Sequence, residues 1–226
     1  MKHESFNESV EMYLKTVSEL AADDGLAPIS ALAQHLGISA VSATEMVHRL
    51  GEQGLVDHVP YKGVALTESG AQHAHRVIRR HRLWECFLSE HLRLGWQHVH
   101  DYACQLEHAT TDEVADAMAA FLGQPVVCPH GNPIPDRNGR LAELDDEPLS
   151  EWRPGDRGAL SRIYPESYLL LDYLAMHNIQ PGRTVVVTEL APFNGPMMVQ
   201  IGGLPHALGH EIAAHIYGIR QNDQPD

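Results

Sequence analysis

Among the side chains able to bind a transition metal, six stand out within 28 residues: His81, Glu85, His100, Cys104, Glu107 and His108. His81 and Glu85 are four apart, and so are His100, Cys104 and His108 in succession. A helix brings residues so spaced onto one face. Imidazole, thiolate and carboxylate converging there can chelate a divalent transition metal. Seven of the 16 histidines (His73, His75, His81, His91, His98, His100 and His108) crowd the same 36-residue stretch. Each group has a plainer reading when taken alone. An isolated His-x-x-x-Glu is most often a surface pair, and a single cysteine such as Cys104 most often a small core residue. Cys128, ahead of a Gly-Asn-Pro-Ile-Pro turn, reads as a buried thiol.

The elements that must hold these groups are mostly helices. Ser5 with Glu8 forms a capping box, and Val10, Tyr13, Leu14, Val17, Leu20 and Ala21 then recur at helical spacing until Asp23-Asp24-Gly25 ends the run. A short helix over 29–36, a turn at Gly37-Ile38-Ser39 and a second helix over 40–53 follow. Segments 54–59 and 63–66 flank a Pro60-Tyr61-Lys62-Gly63 turn as two short strands. Two helices around a glycine turn, then a hairpin, make a winged helix-turn-helix, whose second helix enters the major groove. Its N-terminal residues Ser39, Val41, Ser42, Thr44 and Glu45 would face base edges, and Tyr61 and Lys62 on the wing would meet the backbone. The same module can also serve protein contacts. Helices over 67–92, 96–109 and 111–122 carry the candidate ligands, the last capped by Thr110 and Glu113. Val77, Leu83, Phe87, Leu88, Val99 and Leu106 give them an apolar face suited to a homodimer or to a monomer core. The final 75 residues alternate apolar runs (184–187, 197–201, 213–219) with Gly and Pro turns, as a small β-barrel does.

Composition narrows the function. The 226 residues carry 16 Lys+Arg against 30 Asp+Glu, a formal charge of −14. Bulk charge therefore does not drive binding to nucleic acid or anionic membrane, although a local DNA-reading face is compatible with it. Only 71–100 is net basic, with 5 Lys+Arg and 2 Asp+Glu; residues 1–70 carry 4 and 10. Three cysteines cannot pair completely, which favours a reduced cytoplasm. No apolar run is long enough to span a membrane, and Met1-Lys2-His3-Glu4 begins no signal peptide. His-Glu-x-x-His, a Gly-x-Ser-x-Gly elbow and a glycine-rich phosphate loop are all missing, so the chain reads as no enzyme.

Several segments together resemble the diphtheria toxin repressor family of metal-dependent transcriptional regulators. They are Val10–Thr16, the helix-turn-helix with Gly54-Leu55-Val56, Arg80-His81-Arg82-Leu83, His100–His108 and Gly131-Asn132-Pro133-Ile134-Pro135. The tail, with 191–196 and 208–213, is similar to the SH3-like (FeoA-type) domain of ferrous-transport accessory proteins. The resemblance implies a mainly α chain with small β parts in four stretches. A winged helix-turn-helix spans 1–72, a helical metal-binding and dimerisation domain 73–140, a linker 141–150 and the SH3-like domain 151–226. It implies a cytoplasmic homodimeric repressor of iron or manganese genes that binds a double-stranded DNA operator and no membrane. The primary metal position would use Met12, Cys104, Glu107 and His108; the ancillary one, His81, Glu85 and His100, with Glu166 as a further candidate. Thioether and thiolate donors favour Fe(II), with Mn(II) as runner-up. Glu45 stands where the iron regulators have Gln. The alternative is a metal-transport accessory or scaffold protein acting through the SH3-like domain.

Overall fold

The computed structural model describes residues 7–21, 25–193 and 195–221, so Ser5, Asp23 and Asp24 of the expected helix signals lie outside the described residues. The chain forms two compact units. One comprises 1–81, 105–121 and 135–141; the other comprises 82–104, 122–134 and 142–226.

In the first unit, α1 (Glu8–Leu20) starts at Asn7, whose side chain accepts the Ser9 N–H at 2.7 Å. Its stripe of Val10, Tyr13, Leu14 and Val17 is buried against Leu32, Val47, Leu50, Leu55, Val56 and Val64. Apart from Leu55, which lies just before the hairpin, those residues come from α2 (Ile29–His35), α3 (Ala40–Glu52) and the hairpin β1 (Val56–Val59) and β2 (Gly63–Leu66). The first strand starts later than expected because Gly54 and Leu55 still bond back to Gly51 and Leu50 at the helix end. Gly63, at φ +149°, lets β2 close on Ala27; a Cβ there would strike the Ala27 carbonyl. Ala27 and Val64 exchange two backbone hydrogen bonds of 2.9 Å across that contact. Residues 105–121 add the end of α5 (Val99–Leu106), a 3-10 turn (Glu107–Ala109) and α6 (Asp112–Phe121). The cap of α6 is Thr111, whose hydroxyl accepts the Val114 N–H. Thr110 instead donates its hydroxyl to the Leu106 carbonyl. The helix α4 (Glu68–Glu90) passes from the first unit to the second.

The second unit is built on an antiparallel sheet ordered β3-β8-β4-β5-β6-β7. Its strands are β3 (Glu147–Pro148), β4 (Arg157–Ile163), β5 (Thr184–Leu190), β6 (Met197–Ile201), β7 (Leu204–Leu208) and β8 (Ile216–Arg220). Trp152, Leu160, Ile163, Val185 and Ile201 fill its core. Leu171 and Leu174 of α7 (Tyr168–Met176) fill it too, an element absent from the sequence reading. Ala213, expected in a strand, ends the short helix α8 (His210–Ala213). In the turn before Ile134, Gly131 donates to the Cys128 carbonyl, and Cys128 donates to that of Asn132. The turn seats on β4: Ile163 N–H donates to the His130 carbonyl, and Asn132 Nδ2 donates to the Ile163 carbonyl. Gly131 is at φ +86°, and a Cβ there would collide with the Ser161 carbonyl.

Candidate metal centre and DNA-reading surface

The Cys128–Asn132 turn delivers two donors to the buried face of α4. Donor atoms of Glu85, Cys128, His130 and Glu166 all lie within 4.8 Å of one another. His130 Nε2 is 2.7 Å from the Trp96 carbonyl. A carbonyl can only accept, so Nε2 carries a proton. Nδ1 therefore faces the acids, 3.1 Å from Glu85 Oε1 and 3.3 Å from Glu166 Oε2. Burial alone would lower the His130 pKa; the Glu85 and Glu166 carboxylates outweigh it and hold the pKa well above the usual value. Burial, reinforced by the same two carboxylates, pushes the Cys128 thiol up to about 12. Cys128 Sγ lies 3.9 Å from both His130 Nδ1 and Glu166 Oε1. Asn132 Nδ2 donates to Glu166 Oε1. His100 Nδ1 is 2.8 Å from Glu166 Oε2 and 3.4 Å from Glu85 Oε1, and its Nε2 is 3.8 Å from Cys104 Sγ.

These donors fit a divalent cation. Two buried carboxylates need positive charge nearby, and without a metal a protonated imidazole must provide it. A dication bound by the deprotonated imidazole and thiolate would balance the same charge. The Nε2–H to carbonyl bond already fixes the ring orientation that a ligating histidine requires.

In the first unit a second network joins α1, α4 and the 3-10 turn. Lys15 Nζ and His81 Nδ1 lie 2.7 and 2.6 Å from the same atom, Glu107 Oε2. Glu107 is buried, which raises its pKa, yet His81 and then Lys15 outweigh this and hold it at about 2. The other oxygen of Glu107, Oε1, is 3.3 Å from His108 Nε2. His108 Nδ1 is 2.7 Å from Glu11 Oε2, and Arg80 donates to Glu11 Oε1 at 2.6 Å. Burial tends to raise the Glu11 pKa, but the bonds from His108 and Arg80 lower it overall. Arg80 also donates to the Thr110 carbonyl at 3.0 Å.

On the outer face of the unit, Ser39 caps α3 by accepting the Ser42 N–H at 3.0 Å. Ser39, Val41, Ser42 and Glu45 are exposed, while Thr44 is half-buried and donates to the Ala40 carbonyl. Ala43, Val47 and Leu50 anchor the opposite side of the helix in the core. On the wing, Tyr61 has φ +64° and a fully exposed ring. Few bulky residues take this conformation. Lys62 beside it is exposed and donates its N–H to the Val59 carbonyl.

Residues 5–64 match the iron dependent repressor N-terminal DNA binding domain. Residues 67–136 match the iron dependent repressor metal binding and dimerisation domain, and 147–219 the FeoA domain. The chain belongs to the iron-dependent repressor family. The iron-dependent repressor IdeR of Mycobacterium leprae is 34% identical over 222 residues, 91% of this chain and 96% of that protein. The diphtheria toxin repressor of Corynebacterium efficiens is 35% identical over 150 residues, 66% of this chain and 65% of that protein. Thus the match spans just under two thirds of that relative's length. Among solved structures, a manganese-dependent transcriptional repressor in complex with manganese is 35% identical with a TM-score of 0.86. That match covers 94% of this chain and 100% of the other. The T. acidophilum IdeR structure is 27% identical with a TM-score of 0.82, covering 93% of this chain and 97% of that one.

Within this iron-dependent repressor fold the expected ligands are distributed as follows. Of the ancillary set, His100 lies against both Glu85 and Glu166, and His81 is bonded to Glu107 in the first unit. Glu107 and His108 of the primary set are adjacent, and Cys104 lies beside His100. Met12 is 41% exposed and lines a groove with Tyr13, Leu36 and Ile38. The α1 side chains bonded to Glu107 and His108 are Lys15 and Glu11. Cys128 is buried as expected, and its sulfur lies among the donor atoms of Glu85, His130 and Glu166. His130 was missed. Its signal was the Cys-x-His spacing in a turn ending Gly-Asn-Pro-Ile-Pro.

Proposed function

We propose that the chain is a divalent-metal-dependent, DNA-binding transcriptional repressor of iron or manganese genes, acting as a homodimer in the cytoplasm. The observation that carries this reading is the buried Glu85–Cys128–His130–Glu166 cluster, in a chain whose exposed α3 edge and wing suit a major groove and its phosphates. We assign Glu85, Cys128, His130 and Glu166, with His100 at their edge, to one metal position. Glu107, His108, Cys104 and Met12 belong to another, and His81 supports Glu107. The DNA-reading residues are Ser39, Val41, Ser42, Thr44, Glu45, Tyr61 and Lys62. When bound, the metal supplies charge that draws these donors together. The chain's own part is to fix ring orientation through Trp96 and Glu11, and to couple α1 to His108 and Arg80 by way of Glu11. That coupling biases the helix on which α2 and α3 pack, so metal selects among orientations of the reading head. Val114 and Phe121 on α6, 48% and 65% exposed, suit burial between subunits. No helix among the described residues is long and apolar enough to cross a membrane.

The domain limits we favour are 1–72, 73–140, a linker at 141–150 and 151–226. Fe(II) is the favoured ion because Cys104, Cys128 and Met12 offer sulfur. Mn(II) is the second reading, supported by two carboxylates at the buried cluster and by the manganese-bound neighbour. The test is titration of metal-free protein with Fe(II) under anaerobic conditions, Mn(II) and Zn(II) while following binding to a palindromic promoter fragment. Metal-dependent, sequence-specific binding that Cys128→Ser and Cys104→Ala abolish is expected. Binding indifferent to metal would refute the assignment and favour a scaffold acting through the FeoA domain.

A further inference from the structure

Lys15 is a buried ammonium whose partner is itself an assigned metal ligand. Its side chain is 8% exposed, that of Glu107 2%, and their ion pair measures 2.7 Å. Lys15 and Glu11 are four apart on α1, so they share a face. Yet each reaches another element: Lys15 the 3-10 turn at Glu107, and Glu11 both Arg80 and His108. Both Glu107 oxygens are thereby engaged, Oε2 by Lys15 and His81, and Oε1 beside His108. A divalent ion bonded to Glu107 and His108 would arrive next to a positive charge held in a water-poor site. Either the ammonium withdraws or the ion binds against its repulsion, and both routes weaken the metal.

We propose that Lys15 is an internal counter-ion that holds Glu107 in the metal-free state and sets the metal concentration at which this position fills. The inference rests on the reading of Glu107 as a metal ligand. Without metal the ammonium satisfies the carboxylate and ties α1 to the turn, so the chain folds before metal arrives. Filling the position then requires a concentration high enough to displace that bond, which separates this position from the Glu85–Cys128–His130–Glu166 cluster.

The test is titration of the full-length metal-free protein with Mn(II), counting free ion by electron paramagnetic resonance. Thermal unfolding of the metal-free forms is measured alongside. Lys15→Met is expected to melt lower without metal and to bind the second equivalent about tenfold more tightly than the parent. Lys15→Gln should behave likewise, and Lys15→Arg should keep the parent's weak second equivalent. Second-equivalent binding that is unchanged or weaker in both Lys15→Met and Lys15→Gln would overturn the proposal; the Gln variant decides it should the Met variant not fold. Glu107→Gln is the control on the underlying reading. A stoichiometry unaltered by it would remove Glu107 from the ligands, and the proposal with it.

Discussion

At the Glu85–Cys128–His130–Glu166 cluster, metal binding should release two protons per ion. His130 is held protonated around neutrality by two carboxylates, and the Cys128 thiol, at about 12, also keeps its proton. A metal takes neither donor until it is deprotonated. Apparent affinity should therefore rise about a hundredfold per pH unit, about 2.7 kcal/mol at ~1.36 kcal/mol per proton. Above the raised His130 pKa only the thiol proton remains, and the slope should fall to about tenfold. The stability of the metal-free form should move the other way. A histidine with a raised folded pKa contributes stability that is full below its unfolded pKa and lost as pH rises through the folded value. Alkali should thus loosen the metal-free protein while tightening its grip on metal. Competition against a chromophoric chelator across neutral pH gives the slope, and calorimetry in two buffers of different ionisation enthalpy counts the protons. Glu107→Gln, used as background, silences the other position. A pH-independent affinity, or one proton per ion at neutrality, would sink the reasoning, because Cys128 or His130 would then not be a ligand.

Three further outcomes are expected. Gly131→Ala forces a Cβ onto φ +86° and into the Ser161 carbonyl; about 2–4 kcal/mol of stability should be lost in denaturant titrations, along with one bound metal equivalent. Glu107 is held at about 2 against an ordinary 4.5. Its stabilisation, about 3 kcal/mol, is present above the unfolded pKa and is lost as pH falls through the folded one. Acid unfolding of Glu107→Gln should show a correspondingly smaller stability loss between those limits. Lys62→Ala on the wing should weaken all DNA sequences alike and flatten the plot of log affinity against log salt by about one unit, checked by gel shift at several salt concentrations. A change in base preference would contradict a phosphate-contact role.

What could be read in advance follows from what periodicity encodes. The α1 stripe declares itself because Val10, Tyr13, Leu14 and Val17 repeat at helical spacing and pack on one face. The wing does so because Pro60 and Gly63 bracket a turn between apolar pairs. α7 is hidden: Leu169-Leu170-Leu171 is a short apolar run that suits a strand or a helix, and only packing against Trp152 and Ile163 decides. The same division runs through the metal centre. His100 and Cys104 are legible because a helix aligns residues four apart. His130 is not, because its place depends on Gly131 allowing the turn to press against β4, a contact between segments 30 residues apart. Charge totals hide pairing for a related reason. The totals for residues 1–70 include Glu11 and Lys15 without showing where either charge lies. Glu11 is instead bonded to Arg80 and His108, and Lys15 to Glu107, all at or below 13% side-chain exposure. The field at α3 and the hairpin is therefore set by what remains outside, where Glu45, Arg49, Glu52, Asp57 and Lys62 are exposed.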